Sequence, residues 1–227
     1  MLNGRQLPNL LTMGSLVLGF SELGAVLSGH SELGAGFLLW ALLLDGLAGQ
    51  FARRRDRKTE LGAELDSLAS LIAFGIGVMV LAFERCLRQM GPIGWIVAVG
   101  VAVATALRLS RDNPSKPDWP RYQGLPVPAF GTAIALLATA DQPPQLVAIA
   151  AVALAVLMLA PLSYARFSQR MAVQLPMGIG VGLAAFVPML RPAVLVLALL
   201  YALGGAYFEF FGVLESQASP AKARARR

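Results

Sequence analysis

Apolar residues form long runs along the chain, and turn residues or charges interrupt these runs at only a few places. A helix needs about 20 mainly apolar residues to cross the hydrocarbon core of a membrane. The pattern predicts an all-α integral membrane protein, a bundle of about eight transmembrane helices. These helices are predicted near residues 8–28, 33–52, 62–84, 92–110, 125–140, 144–162, 174–190 and 192–213.

The predicted helices form one unit, because no long polar segment separates them. Residues 1–213 are therefore predicted to be a single polytopic membrane domain. Residues 214–227 are rich in arginine and lysine, and we expect them to form a basic, disordered, cytoplasmic tail.

Composition supports the membrane interpretation. Hydrophobic residues make up 56% of the 227 residues and charged residues 14%, whereas soluble domains carry about 25% charged residues. Disordered chains are poor in hydrophobic residues, so disorder of the whole chain is excluded. The chain has one cysteine, Cys86, which excludes a scaffold held by disulfides.

The distribution of basic residues predicts the orientation. The net charge of +6 could indicate nucleic-acid binding, but the basic residues are scattered over several short loops. With eight spans, 16 of the 19 lysines and arginines fall on one side, and Arg85, Arg88 and Arg191 fall on the other. Loops rich in lysine and arginine stay in the cytoplasm. Both termini are therefore predicted to be cytoplasmic, in the cytoplasmic membrane, with no nucleic-acid partner.

Acidic residues inside apolar spans are costly and indicate function. Glu84 closes its span beside Arg85, which predicts a local ion pair. Asp45 and Asp66 stand in consecutive spans that meet at the basic side, so we expect them at similar depth. Two carboxylates beside arginines suit a divalent metal and a phosphate group. Ion pairs with Arg53 or Arg54 are the alternative.

The residues around these two acids form a longer motif. Residues 45–53 read DGLAGQFAR, and after eight residues 62–70 read GAELDSLAS. This resembles the signature of the CDP-alcohol phosphotransferase family, D-x2-D-G-x2-A-R-x8-G-x3-D-x3-D. The positions that match are Asp45, Gly49, Ala52, Arg53, Gly62 and Asp66. The sequence of residues 62–69 is most similar to that of the phosphatidylserine synthase branch.

Three further segments resemble that branch. Residues 7–12, LPNLLT, are similar to its opening motif, and residues 108–113, RLSRDN, to its R-L-A-R-F-N segment. Residues 122–129, YQGLPVPA, are close to its Q-G-L-P-x-P-A element. The resemblance implies that CDP is bound by Asn9, Thr12, Gly49, Ala52, Arg53 and Gly62. It places the acceptor and phosphate pocket at Arg108, Arg111, Asn113, Gln123 and Gly124.

The resemblance also implies a reaction. In the family, an alcohol attacks the β-phosphorus of a CDP-linked lipid and releases CMP; for this branch the substrates are CDP-diacylglycerol and L-serine. Four aspartates hold Mg²⁺ or Mn²⁺, and the last is usually assigned as the base. The expected partners are therefore membrane CDP-diacylglycerol, a small alcohol such as serine, and a second copy in a homodimer.

Two of the four aspartates are replaced in this chain. Ala48 stands at the second position and offers no ligand, and Ser70 stands at the position of the base, where a neutral hydroxyl cannot take that role. Asp45 and Asp66 remain as metal ligands. Glu22, Asp56 and Glu60 are the candidates to supply a missing carboxylate.

The replacements leave several functions open. One is a phosphatidylserine synthase-like transferase of phospholipid biosynthesis with impaired catalysis. The alternatives are an inactive paralogue that acts as a membrane partner or regulatory subunit, a transferase for another alcohol, and a transporter or lipid-binding scaffold.

Overall fold

The computed structural model describes residues 6–54, 60–111, 121–165 and 187–218. The predicted seventh span, residues 174–190, lies almost wholly outside these ranges, and so do residues 219–227 of the predicted tail. The other seven predicted spans are all helical, which confirms the all-α membrane bundle.

The first half of the chain forms long apolar helices. The third predicted span is continuous but changes its geometry, because a π-helical segment of seven residues joins two α-helical parts. A short 3₁₀ turn, Leu87–Met90, then leads into the next helix. The helices are α1 (Gln6–Leu27), α2 (Ser31–Arg54), α3 (Glu60–Ser70), the π segment (Leu71–Gly77), α4 (Val78–Arg85) and α5 (Pro92–Arg111).

The second half has shorter apolar helices and one small β-ladder. The helices are α6 (Val127–Thr139), α7 (Pro144–Leu159) and α8 (Arg191–Ala218), the last preceded by the 3₁₀ turn Pro188–Leu190. Strand β1 (Arg121–Gln123) pairs antiparallel with β2 (Ser163–Ala165), with Tyr122 opposite Tyr164. The sequence pattern did not predict this ladder. Helix α8 continues to Ala218, past residue 213, where the tail was predicted to begin.

Four helices of the described part are long and apolar enough to cross a membrane: Gln6–Leu27, Ser31–Ala52, Leu61–Arg85 and Pro92–Arg111. Large apolar side chains on their outer surfaces, such as Val17, Ile96 and Val103, are exposed. An exposed apolar surface of this extent suits lipid rather than water. The chain is an integral membrane protein.

Small residues allow the helices to pack closely around Phe74 and Phe130, which are fully buried. A Cβ on Gly19 of α1 would stand 3.0 Å from the Cβ of Ala73, and one on Gly131 of α6 would stand 2.8 Å from the Cβ of Phe74. Close backbone approach through small residues is typical of membrane helices. It brings α1 and α6 against the π segment.

Ion pairs join several helices at the end of the bundle where α2 begins. Arg85 contacts Asp141 at 2.8 Å and Glu32 at 3.8 Å, and Arg191 also pairs with Glu32. Glu84 pairs with Arg88 at 2.6 Å. The predicted local ion pair of Glu84 is therefore confirmed, but its partner is Arg88 and not the adjacent Arg85. The reason is geometric, since residues four apart share a helix face and adjacent ones do not.

Candidate functional site

We call the end of the bundle where α1 begins and α2 ends the basic end, since Arg53 and Arg54 close α2 there. Packing contacts fix the relative heights of the helices at this end. A Cβ on Gly14 of α1 would stand 2.9 Å from Leu44 of α2, and the hydroxyl of Ser15 donates to the carbonyl oxygen of Ala41 at 3.1 Å. On the other side, Gly19 of α1 faces Ala73.

These contacts place the two motif aspartates at one height. Asp45 directly follows Leu44, which meets Gly14, and α1 and α2 run in opposite directions. Asp66 lies seven residues before Ala73, in a helix that runs parallel to α1. Both aspartates are therefore about level with Thr12, which lies one turn after Pro8. This confirms the expectation of similar depth. Asp45 is half-buried and Asp66 is exposed.

The two replaced positions are buried beside these aspartates. Ala48 follows Asp45 by three residues and is 2% exposed, and Ser70 follows Asp66 by four and is 6% exposed. Each replacement thus shares a helix face with the aspartate before it. Ser70 also ends α3, directly before the π segment. π-helical turns occur frequently at functional sites.

The donor set fits a divalent cation only in part. In the described part of the chain, no three Asp, Glu, His or Cys side chains gather where they could hold a metal. Asp45 and Asp66 could contribute carboxylates to a single Mg²⁺ or Mn²⁺, which often takes one or two protein carboxylates together with substrate phosphates. Ala48 has no donor atom, and Ser70 offers a neutral oxygen.

Glu22 does not supply the missing carboxylate. Its Oε2 lies 2.7 Å from where a Cβ on Gly77 would be, eleven residues beyond Asp66 along the same continuous helix. Glu22 is itself ten residues beyond Thr12 in α1, which separates it from the aspartates by about 15 Å. Glu60 begins α3, about 9 Å along the axis before Asp66. Asp56 lies outside the described residues.

The residues expected to bind CDP lie between this height and the basic end. Thr12 is buried, and its hydroxyl donates to the carbonyl oxygen of Pro8 at 3.1 Å, while Asn9 is half-buried one turn nearer the basic end. Gly49 and Ala52 are half-buried in the last turns of α2, where Arg53 also lies, and Gly62 is half-buried in the first turn of α3. The structure thus brings the ends of three helices together.

Contact with the π segment sets the height of the two arginines of α5 in the bundle. A Cβ on Gly75 of the π segment would stand 2.8 Å from the side chain of Thr105. Because α5 runs opposite to α3, Arg108 is level with the start of the π segment and Arg111 with Ser70. Arg108 is 2% exposed. The Nη1 of Arg111 donates to the carbonyl oxygen of Leu159 at 3.0 Å.

The Gln-Gly-Leu element meets Arg111 at the end of α7. The backbone N–H of Gly124 donates to the carbonyl oxygen of Leu162 at 2.6 Å, and that of Leu125 donates to Leu157 at 3.1 Å. Gln123 ends strand β1 beside Gly124. Asn113 lies outside the described residues.

Residues 157–162 therefore anchor both predicted acceptor elements, a role that the sequence did not reveal. The anchoring groups are backbone carbonyl oxygens of α7 and of the loop after it, and such groups have no side-chain signature in the sequence.

Comparisons with known proteins identify relatives of the chain. The family model described as CDP-alcohol phosphatidyltransferase matches residues 5–207. The chain is 28% identical over 172 residues to a CDP-diacylglycerol–serine O-phosphatidyltransferase of Bacillus subtilis, which covers 76% of this chain and 97% of that protein. Proteins of the same name from Helicobacter pylori and Mycobacterium tuberculosis are 32% identical over 136 residues and 33% identical over 130 residues. These matches cover 59% and 54% of this chain, and 57% and 45% of those proteins.

Proposed function

The chain belongs to the CDP-alcohol phosphatidyltransferase family, and we propose that it acts in phospholipid biosynthesis as a phosphatidylserine synthase-like enzyme with weakened catalysis. The observation that carries this proposal is the common height of Asp45 and Asp66, with Arg111 level with Ser70. A diphosphate bound at this height would lie in the same layer of the bundle as the acids and the arginine. Relatives named CDP-diacylglycerol–serine O-phosphatidyltransferase support the substrate class.

The proposed reaction replaces the phosphoanhydride bond of CDP-diacylglycerol with a phosphate ester bond to serine. The hydroxyl oxygen of serine attacks the β-phosphorus of CDP-diacylglycerol, and the bond from that phosphorus to the oxygen of the CMP group breaks. The products are phosphatidylserine, CMP and the hydroxyl proton. Arginines favour the diphosphate through charge-assisted hydrogen bonds, and Arg111 is held in place by Leu159.

The replaced aspartates set the expected rate. A bound Mg²⁺ or Mn²⁺ would neutralise the diphosphate and orient it, and Asp45 and Asp66 would hold it. Ser70 cannot accept the hydroxyl proton at neutral pH, so this proton must pass to solvent. Loss of a general base typically lowers the rate by about 10²–10⁴-fold. The buried methyl group of Ala48 adds no ligand.

A CMP-release assay tests the proposal. Purified protein is given CDP-diacylglycerol, Mn²⁺ or Mg²⁺, and serine or another alcohol, beside the double variant Ala48→Asp/Ser70→Asp. We expect slow release by the wild type with serine, and release at least about 10²-fold faster by the double variant. The same double variant with Asp66→Asn added serves as the inactive control. Thermal unfolding checks that carboxylates at two buried positions are tolerated.

Two results would contradict the proposal. Equal rates for the wild type and a folded double variant would show that catalysis is not weakened by Ala48 and Ser70. Absence of CMP release from both, with every alcohol, would exclude transferase activity. Release that depends on an alcohol other than serine would identify a different acceptor.

The second candidate is an inactive paralogue that retains CDP-diacylglycerol and acts as a membrane partner. It is favoured by the same buried pair, Ala48 and Ser70, and by the distance of Glu22 from the aspartates. In that case the double variant alone releases CMP, while both proteins bind CDP-diacylglycerol.

We also propose that the basic end faces the cytoplasm. The excess of lysine and arginine on that side supports this orientation. A reporter enzyme fused after Arg227 that is active only in the cytoplasm should be active; activity of a periplasmic reporter instead would contradict the orientation.

A further inference from the structure

Glu22 is a carboxylic acid buried inside the membrane-spanning part of α1. Its side chain is 0% exposed. Among the described residues, neither Oε1 nor Oε2 has a hydrogen-bond partner, and neither touches solvent. The function proposed above makes no use of this residue, because it lies about 15 Å from Asp45 and Asp66.

The carboxyl group of Glu22 rests on the π segment at Gly77. A Cβ on Gly77 would stand 2.7 Å from Oε2 and 2.8 Å from Cδ of Glu22, and 2.9 Å from the carbonyl oxygen of Ile72. The carboxyl group thus occupies the room that the missing side chain leaves. On the opposite side, a Cβ on Gly34 of α2 would stand 3.3 Å from the carbonyl oxygen of Glu22.

Among the described residues of the helices that pack against α1, no cation lies beside Glu22. Helix α1 packs against α2, α3, the π segment and α4. The π segment has no ionisable residue. In α2, Glu32 pairs with Arg85 and Arg191, and in α4, Glu84 pairs with Arg88. Arg85 itself stands eight residues past Gly77, about 12 Å along the axis.

The remaining ionisable groups of these helices lie toward the basic end. They are Asp45, Arg53 and Arg54 of α2, and Glu60, Glu64 and Asp66 of α3. Asp45 and Asp66 are about 15 Å away, and the others lie farther still along their helices. In the described part of the chain, no ionisable side chain of these helices therefore lies beside Glu22.

An ionised carboxylate cannot be accommodated in these surroundings. An isolated buried charge is so costly that the group becomes neutral instead. An ionised Glu22 would also face the carbonyl oxygen of Ile72 without a donor between them. A neutral carboxyl group carries one O–H donor, and Ile72 offers an acceptor beside the same space.

We propose that Glu22 is an uncharged carboxylic acid that fixes the π segment against α1 and so acts as a positioning residue for the site. The π segment directly follows α3 in the same continuous helix. Its contact with Glu22 sets the height of Ser70 and Asp66, which precede Gly77 by seven and eleven residues. The effect on the site rests on the proposed function; the uncharged state and the contact do not.

Substitutions at Glu22 separate this role from that of a charge or a cation ligand. Glu22→Gln keeps the size and an uncharged polar end, whereas Glu22→Ala removes the contact. Ser21→Ala is the matched control, because its hydroxyl is exposed and bonds only to Val17 of its own helix. Three measurements are made for the wild type and each variant. They are the infrared spectrum, thermal unfolding in detergent, and CMP release or CDP-diacylglycerol binding.

We expect an infrared band of a protonated carboxyl group near neutral pH in the wild type and in Ser21→Ala, and its loss in Glu22→Gln. Glu22→Gln should keep the wild-type unfolding temperature. Its KM and kcat should stay within about twofold of the wild-type values. Glu22→Ala should unfold at lower temperature and lose up to about 10²-fold in kcat, since small displacements of catalytic groups have effects of this size.

Absence of the band would overturn the proposal. So would equal losses in Glu22→Gln and Glu22→Ala, because the proposal expects an uncharged polar side chain of the same size to keep the contact. Stabilisation of the wild type, but not of Glu22→Gln, by Na⁺ or Mn²⁺ would assign Glu22 to a cation instead. Since the band and the unfolding temperature need no turnover, failure of the proposed transferase activity would leave this test intact. If Glu22→Ala does not fold, the infrared band and the unfolding temperature of Glu22→Gln still test the proposal.

Discussion

The α-carbon of Gly124 lies directly against the carbonyl oxygen of Met158, and a Cβ on Gly124 would clash with that oxygen. The φ angle of Gly124 is +80°, a conformation that residues with a side chain rarely adopt. This contact locks the Gln-Gly-Leu element onto the end of α7, where Arg111 also bonds. It explains physically why the element contains glycine at this position.

Substitution of Gly124 by alanine should therefore destabilise the protein. Both the positive φ and the clash with Met158 oppose a side chain, and we expect a loss of more than about 1 kcal/mol. Thermal unfolding in detergent measures it, with Gly100→Ala as the control, because nothing lies within 4 Å of a Cβ there. Equal unfolding temperatures for the two variants would contradict the prediction.

The ion pair between Arg85 and Asp141 should contribute little to stability. Asp141 has 89% of its side chain exposed, and the pair lies 2.8 Å apart at the surface of the bundle. Exposed pairs typically contribute below about 1 kcal/mol and weaken with salt. A double-mutant cycle with Arg85→Gln and Asp141→Asn measures the coupling. A coupling above about 2 kcal/mol, unchanged by salt, would show that the prediction is wrong.

Cys86 should react slowly with thiol reagents at neutral pH. Burial raises the pKa of the Cys86 thiol, although the backbone N–H of Leu87 and the charge of Arg85 oppose this rise. The thiol also donates to the carbonyl oxygen of Ala82 at 3.3 Å. The reactive thiolate then forms only at higher pH than in an exposed cysteine. Maleimide labelling against pH tests this, because the chain has one cysteine.

The matched control is Ser28→Cys on a Cys86→Ala background, which places an exposed thiol in the turn between α1 and α2. This exposed thiol should be labelled faster than Cys86 at neutral pH. Its labelling rate should also begin to rise at a lower pH than that of Cys86. Because the pKa of this thiol is higher in the folded state, the Cys86 thiol ionises at lower pH in the unfolded protein. The contribution of Cys86 to the stability of the fold therefore falls as the pH rises from its unfolded-state pKa to its folded-state pKa. Coincident labelling curves would refute the prediction.

The carboxylates that are restored in Ala48→Asp/Ser70→Asp should strengthen metal binding. We expect Mn²⁺ to raise the unfolding temperature of the double variant more than that of the wild type. A tenfold gain in affinity corresponds to about 1.4 kcal/mol of added stabilisation once Mn²⁺ exceeds both dissociation constants. Adding Asp66→Asn to the double variant should remove most of the gain. Equal Mn²⁺ shifts for wild type and double variant would contradict the assignment of these positions to the metal.

The residues of the sequence alone determined the helices and the motif site. Runs of about 20 apolar residues must be helical in lipid, because a helix satisfies its own backbone hydrogen bonds there. The spacing of Asp45 and Asp66 in consecutive antiparallel spans fixed their similar depth. The residue types at positions 48 and 70 showed directly which carboxylates are missing.

Only the tertiary structure decided which distant groups meet. Arg85 pairs with Asp141 rather than with Glu84, and Glu22 lies against Gly77 rather than beside Asp45. The end of α7 anchors Arg111 and Gly124 through backbone carbonyl oxygens. Periodicity reveals which face of a helix a residue occupies, but the neighbour on that face depends on how the helices pack. Backbone acceptors are present at every residue, so nothing in the amino-acid sequence distinguishes those that do this work.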